Sequence, residues 1–255
     1  MNKVIQGDCI KCMKKIDNDT VDIIIADPPY NIGKDFGNNS DKQNFTEYIN
    51  WCKVWIDECF RILKPNGTMY IYGVSEILAY LRVNINHNVR WLIWHYTNKN
   101  SPTNKFWQRS HESILCCYKD QPVFNLDDVR EPYSEAYKKS NGKTRAATHG
   151  RFSNGETQTV YKVHKNGALP RDVIKIPALA GGAGVERVDH PTQKPISLCK
   201  KLLNASKKKD CLLVVPFAGS GSECVAAKQM NINFFGFEIN KKYVKLANDR
   251  LNENK

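Results

Sequence analysis

An α/β domain on a mainly parallel sheet is the fold class this sequence predicts. Three observations predict it. Short β-branched runs, such as Val21–Ala26 (VDIIIA), alternate with segments whose apolar residues recur at helical spacing. A small-residue turn, Ala218-Gly219-Ser220-Gly221, joins one such run to a helical pattern. The 255 residues are 41% hydrophobic, enough for a sizeable core and against global disorder.

Val21–Ala26 reads as a buried parallel strand that opens into Asp27-Pro28-Pro29. Phe45–Leu63 carries Ile49, Val54, Ile56, Phe60 and Leu63 at helical spacing, and Pro65-Asn66-Gly67 stops it. Thr68–Tyr72 is the next strand and Ser75–Leu81 the next helix; Arg90–His95 and Ser113–Tyr118 read as strands. The alternation implies a parallel sheet covered by helices. From about Asp120 to Val188 the periodicity fades. Between Arg130 and Lys175, ten Lys/Arg stand against four acids. Tyr133, Tyr137, Phe152 and Tyr161 interleave with the charges. A solvated insertion and a nucleic-acid-facing lobe both fit that composition. Order returns with a helix over Ile196–Ala205 and a strand over Cys211–Val215 (CLLVV). A helix over Ser222–Met230 and a strand over Asn233–Glu238 follow. Asn240 is placed to cap a last helix with Val244, Ala247 and Leu251 on one face.

Charge bounds the partner. The net charge is +12, from 38 Lys+Arg against 26 Asp+Glu, which favours a polyanion. Nine cysteines, an odd number, lie in apolar segments such as Ile114-Leu115-Cys116-Cys117, the usage of a reduced, cytoplasmic protein. Cys9 and Cys12 form a lone CxxC without a second pair, so packing is expected there and no metal. The start MNKVIQGDC has no leader-like apolar run, and no stretch approaches the roughly 18 apolar residues of a membrane span.

Two motifs carry chemistry. Strand, Gly219-Ser220-Gly221, helix, strand and terminal Glu238 form a β-turn-α-β unit. Glu238 stands 19 residues after Gly219, about the spacing at which an acid reaches a ribose diol. The third glycine of the dinucleotide fingerprint is absent, with Val225 and Ala226 in its region, which points to an adenosyl cofactor over NAD or FAD. Asp27-Pro28-Pro29-Tyr30 ends a buried strand. Asp27 offers carboxylate oxygens, Pro28 a fixed carbonyl and Tyr30 a flat ring. Two acceptors and an aromatic plate suit an exocyclic NH₂ on a ring; a merely rigid turn has the same composition.

Together DPPY (Asp27–Tyr30), HPTQKP (His190–Pro195) and PFAGSG (Pro216–Gly221) resemble the β-arranged, amino-methylating DNA methyltransferases. In that family the catalytic motif comes first and the cofactor motif last. The resemblance spans nearly the whole chain. It implies a Rossmann-like, S-adenosylmethionine-dependent methyltransferase sheet with an inserted basic target-recognition region. The implied division is 1–119 as the catalytic half, 120–188 as the recognition insertion and 189–255 as the cofactor half. By resemblance Asp27, Pro28, Pro29 and Tyr30 are catalytic. Asp8, His190, Thr192, Gln193, Lys194, Pro216, Phe217, Ala218, Gly219, Ser220, Gly221 and Glu238 bind the cofactor. Asn31, Arg109, Lys143, Arg145 and Arg151 are the candidate DNA contacts. One departure stands out: the family's acid before Pro-Phe is Val215 here, with Asp210 and Glu223 the nearby acids.

The implied reaction flips a base out of double-stranded DNA and methylates its amino nitrogen. Asp in the first motif position goes more often with N6-adenine; N4-cytosine and a cofactor-impaired DNA-binding relative are the alternatives. The family adds a cognate restriction endonuclease and a homodimer as candidate partners, and no membrane. Protein-glutamine methyltransferases carry Asn before Pro-Pro-Tyr and an N-terminal cofactor motif, both opposite to this chain. A nicotinamide oxidoreductase leaves DPPY unexplained.

Overall fold

The computed structural model describes residues 1–33, 42–98, 104–145, 147–151, 153–156, 158–179 and 186–253. In chain order, β1 (Lys3–Gln6), α1 (Cys9–Met13), β2 (Val21–Ala26) and α2 (Phe45–Ile62) come first. β3 (Leu63–Gly73), α3 (Ser75–Val83), β4 (Asn88–His95) and β5 (His111–Tyr118) follow. Short pieces come next: α4 (Glu135–Lys138), β6 (Thr144–Arg145), β7 (His149–Gly150), β8 (Ser153–Asn154) and β9 (Thr159–Val160). The chain closes with β10 (Val173–Lys175), α5 (Ile196–Ser206), β11 (Leu212–Val215), α6 (Ser222–Gln229), β12 (Asn233–Glu238) and α7 (Lys241–Glu253).

Eight strands form one sheet in the order β1-β12-β11-β2-β3-β5-β4-β10. Five of its seven neighbour pairs are parallel, and β5 runs antiparallel to both β3 and β4. Alternation along β11 explains the layers: Leu213 and Val215 enter one apolar cluster, Val214 the other. The first cluster is closed by α5, α6 and α7, the second by α1, α2 and α3. Every residue of β2 is buried, as a central strand covered on both faces requires.

Local chemistry sets the helix ends. Asn44 caps α2 by accepting from the Thr46 and Glu47 N–H groups, and Asn240 accepts from Lys242 N at the start of α7. The helix α2 buries Tyr48, Cys52, Trp55, Ile56, Cys59 and Phe60, one stripe at helical spacing. Pro65-Asn66-Gly67 does not follow a helix directly. The chain turns extended already at Leu63, and the three residues lie within β3 where its register on β2 shifts.

The sheet also places the site. From β2 the chain passes through α2 to β3 on one side; from β11 it passes through α6 to β12 on the other. β2 and β11 are neighbours, so their carboxyl ends flank the point where strand order reverses, where open α/β sheets bind ligands. β1 runs beside β12 with Gln6 opposite Glu238, which brings Gly7-Asp8 to the same edge.

Met1–Phe124 and Asp172–Lys255 make one compact unit, and Asn125–Arg171 a second. Within the second, β6 pairs with β9 and β7 with β8. Tyr133 stacks on Tyr137 at 4.7 Å, and Tyr137 meets Tyr161 edge-on at 5.3 Å. These three rings pack on one another, half-buried, rather than standing apart among the charges. Phe152, the fourth interleaved aromatic, lies outside the described residues. No described helix is long and apolar enough to cross a membrane.

Candidate active site

The carboxyl ends of β1, β2, β11 and β12 enclose a cleft. Asp8, Asp27, Pro28, Pro29, Tyr30, His190, Thr192, Lys194, Pro216, Phe217, Ala218, Gly219, Ser220 and Glu238 line it. Gln193 and Gly221 are not in the lining. Gln193 faces its own loop, accepting from Val188 N and donating to the Glu186 carbonyl. Gly221 caps α6 with φ +77°, and a Cβ there would come within 2.8 Å of Ala247.

At the β2 end, charges are tightly compensated. Lys194, 3% exposed, donates to both Asp27 oxygens at 2.8 Å and lies 3.5 Å from Glu112 Oε2. Tyr30 Oη donates to Asp27 Oδ1 at 2.6 Å and receives a bond from Lys194 at 3.1 Å. Burial pulls the Lys194 ammonium down, but Asp27 and Glu112 outweigh it and hold it above its ordinary value. Burial, then Asp27 and Glu112, push the Tyr30 phenol well up, so it stays a donor. Counting lone pairs, Oδ1 accepts two of these bonds and Oδ2 one, which leaves Oδ2 room for another donor. Pro28 is buried beside it, and among the described residues no donor takes its carbonyl. The Pro29 carbonyl is already held by Tyr48 Oη at 2.8 Å.

The β11–β12 end holds its acid, Glu238, with backbone donors. Gly219 N donates to Glu238 Oε2 at 2.9 Å, and Asn240 N to Glu238 Oε1 at 2.8 Å. With the Ile239 N–H also acting on it, the carboxylate still keeps acceptor capacity of the kind a ribose diol needs. Burial holds the Glu238 carboxyl above its ordinary value despite those donors. Gly219 has φ +47°, and a Cβ there would meet His190 Nε2 at 2.9 Å. The His190 ring packs edge-on to Tyr243 at 4.6 Å, and burial lowers its pKa to about 4, so it is neutral at pH 7. Arg250 Nη1 donates to the Ser220 carbonyl at 2.6 Å and steadies the turn from α7. Phe217 packs against Trp51 and Trp55, at 5.7 and 5.2 Å.

Several lining residues carried no clear sequence signal. Trp51, Gln43, Ile32, Ile239 and Tyr243 join the cleft from loops and helix faces. Glu112 opens β5, and a charged residue between His111 and Ser113 at the head of an apolar strand was the one available hint. Glu223, a nearby acid without a sequence-assigned place, is 3% exposed and lines the cleft.

None of the candidate DNA contacts is among the residues that line the cleft. Asn31, at φ +57°, accepts from Gln43 N and donates to the Gln43 carbonyl, an internal clasp. Arg109 is ion-paired with Glu76 at 2.6 Å on the surface. Lys143, Arg145 and Arg151 are exposed on the Asn125–Arg171 unit.

A strand-end acid with acceptors, a glycine turn and a diol-ready glutamate define a class of Rossmann-like transferases. The match to known proteins narrows it. Residues 21–249 match the DNA methylase family of N6 and N4 methyltransferases. The chain is 32% identical to the type II methyltransferase M.HpaI of Haemophilus parainfluenzae, over 98% of this chain and 74% of that protein. It is 31% identical to the DNA adenine methyltransferase YhdJ of Escherichia coli (strain K12), over 97% of this chain and 82% of that one. Its fold is similar to the PvuII DNA methyltransferase, cytosine-N4-specific, with TM-score 0.71, 14% identity and coverage of 97% and 85%. It also resembles the M1.HpyAVI–SAM complex, with TM-score 0.64, 22% identity and coverage of 98% of each chain. The chain therefore belongs to the N6/N4 DNA methylase family, whose methyl donor is S-adenosylmethionine.

Proposed function

We propose that this chain methylates the N6 amino group of adenine in double-stranded DNA, with Asp27 and Pro28 as acceptors for that group. The carrying observation is the open Oδ2 position of Asp27 beside the unoccupied Pro28 carbonyl. An amino group donating to both is drawn toward a pyramidal nitrogen whose lone pair is free to attack. S-adenosylmethionine, when bound, would supply an electrophilic methyl on a sulfonium: the S–CH₃ bond breaks as the N–CH₃ bond forms, the neutral thioether leaves and the surplus N–H proton passes to solvent, so no enzyme nucleophile is required. The chain's residues position: Tyr30 and Lys194 fix the Asp27 carboxylate, and Tyr30 offers its ring to stack on the flipped base. Glu238, the Gly219 turn, Pro216–Ser220, Asp8, His190 and Thr192 hold the donor, with Gln193 and Gly221 shaping its loops.

Adenine is supported by Asp at the first motif position and by a relative named as an adenine methyltransferase. The fold likeness to a cytosine-N4-specific enzyme favours N4-cytosine as the second reading. Lys143, Arg145 and Arg151 belong to the target-recognition insertion in this reading, and Arg109 reaches DNA once released from Glu76. A restriction endonuclease of matching specificity is the expected companion, since the chain's relatives include type II methyltransferases. A homodimer and a cytoplasmic location complete the proposal. The test is methylation of unmodified DNA, digestion to nucleosides and mass spectrometry. N6-methyladenine is expected; N4-methylcytosine moves the second reading forward, and no methylated nucleoside overturns both.

A further inference from the structure

The family's acid before Pro216 is replaced by Val215, which is fully buried in an apolar cluster. Among the described residues, four carboxyls line the cleft: Asp8, Asp27, Glu223 and Glu238. Three are committed. Asp8 caps α1 by accepting from Lys11 N at 2.9 Å. Asp27 is neutralised by Lys194. Glu238 holds the Gly219 and Asn240 N–H groups.

Glu223 differs from all three. It sits in the first turn of α6, directly after the glycine turn, and is 3% exposed. Among the described residues the one side chain that donates to it is the Cys199 thiol at 3.6 Å, a weak donor, and its own backbone N–H also steadies the carboxylate. Lys194 acts on it only through space, being bound to Asp27. Burial first, then repulsion from Asp27, pushes the Glu223 carboxyl up to about 7. A buried acid without a cation in contact is costly, and a ligand cation would offset that cost. Glu223 lines the same cleft as Asp27, Lys194 and Glu238. A donor held by its ribose diol at Glu238 still carries an amino acid whose ammonium needs a carboxylate.

We propose that Glu223 receives the α-ammonium of the bound methyl donor. This rests on the cofactor reading of the cleft. Calorimetric titration of the wild type and Glu223→Gln tests it with two ligands. S-adenosylmethionine carries the ammonium; 5′-methylthioadenosine keeps the adenosyl end and lacks it. The variant is expected to lose about ten-fold or more in affinity for S-adenosylmethionine, the scale of a lost charge-assisted bond, and to bind the thioether within about two-fold. In the wild type, affinity for S-adenosylmethionine is expected to rise by up to about ten-fold per pH unit between about pH 5.5 and 7. There the ligand ammonium stays charged while Glu223 loses its proton, and Glu223→Gln should flatten the profile. Equal weakening of both ligands, unchanged S-adenosylmethionine binding, or a flat wild-type profile overturns the proposal. If the variant fails to fold, a flat wild-type profile still overturns the proposal. Wild-type protein that binds neither ligand overturns the cofactor reading and this proposal with it.

Discussion

The two ends of the cleft solve the same problem by opposite means. At the β2 end, Asp27, Lys194, Tyr30 and Glu112 form a charged network in which one buried ammonium serves two carboxylates. At the β11–β12 end, backbone N–H groups, a left-handed glycine and a neutral histidine do the holding. Charges fixed in a low-dielectric site act strongly on a group that must change its bonding. Backbone donors give shape and hydrogen bonds without a net charge. The difference fits one end for chemistry and the other for binding.

Breaking the charged network should have the largest effect on stability. Lys194→Met leaves Asp27 and Glu112 facing each other with no cation, and losing one partner of a buried pair costs about 3–5 kcal/mol. Because both carboxylates are partly exposed, about 3 kcal/mol is expected by urea denaturation; Asp27→Asn added to the variant should recover part of it. A loss under about 1 kcal/mol would show that the network is solvent-screened.

Damage to the binding end should be smaller and should fall on affinity. Gly219→Ala places a Cβ 2.9 Å from the His190 ring at a backbone φ of +47°. A destabilisation of about 1–2 kcal/mol and a clear rise in the S-adenosylmethionine Kd are expected, with kcat at saturation little changed. A kcat loss at unchanged Kd would mean the two ends are not separable.

Smallest of all is the effect expected on the Asn125–Arg171 unit. Arg145→Ala should lower the slope of log affinity for DNA against log salt by about 0.9, if that side chain neutralises one phosphate. An unchanged slope removes Arg145 from the DNA contacts.

The sheet was legible where strands are fully buried. β11 announces itself as an unbroken apolar run, β2 as one interrupted only by Asp22, and α2 by one stripe of apolar residues. β1 and β10 did not, because each is short with exposed residues at both ends and takes its identity from a neighbour distant in sequence. The motif residues could be read, but their bonds to one another could not. Lys194 was expected along the cofactor, yet its ammonium reaches Asp27 across 167 positions, a contact set by tertiary packing. Asn31 was expected near DNA; its clasp on Gln43, twelve residues on, had no signal in the sequence. In the smaller unit, the spacing of tyrosines among lysines hid that Tyr133, Tyr137 and Tyr161 satisfy one another.

The most direct test separates the two ends in one preparation. Asp27→Ala is assayed for methyl transfer to unmodified DNA and titrated with S-adenosylmethionine alongside the wild type. Transfer should fall by at least about 10³-fold, the scale of a lost transition-state contact, while the Kd stays within a few-fold. Transfer near the wild-type rate would contradict the assignment of chemistry to the β2 end.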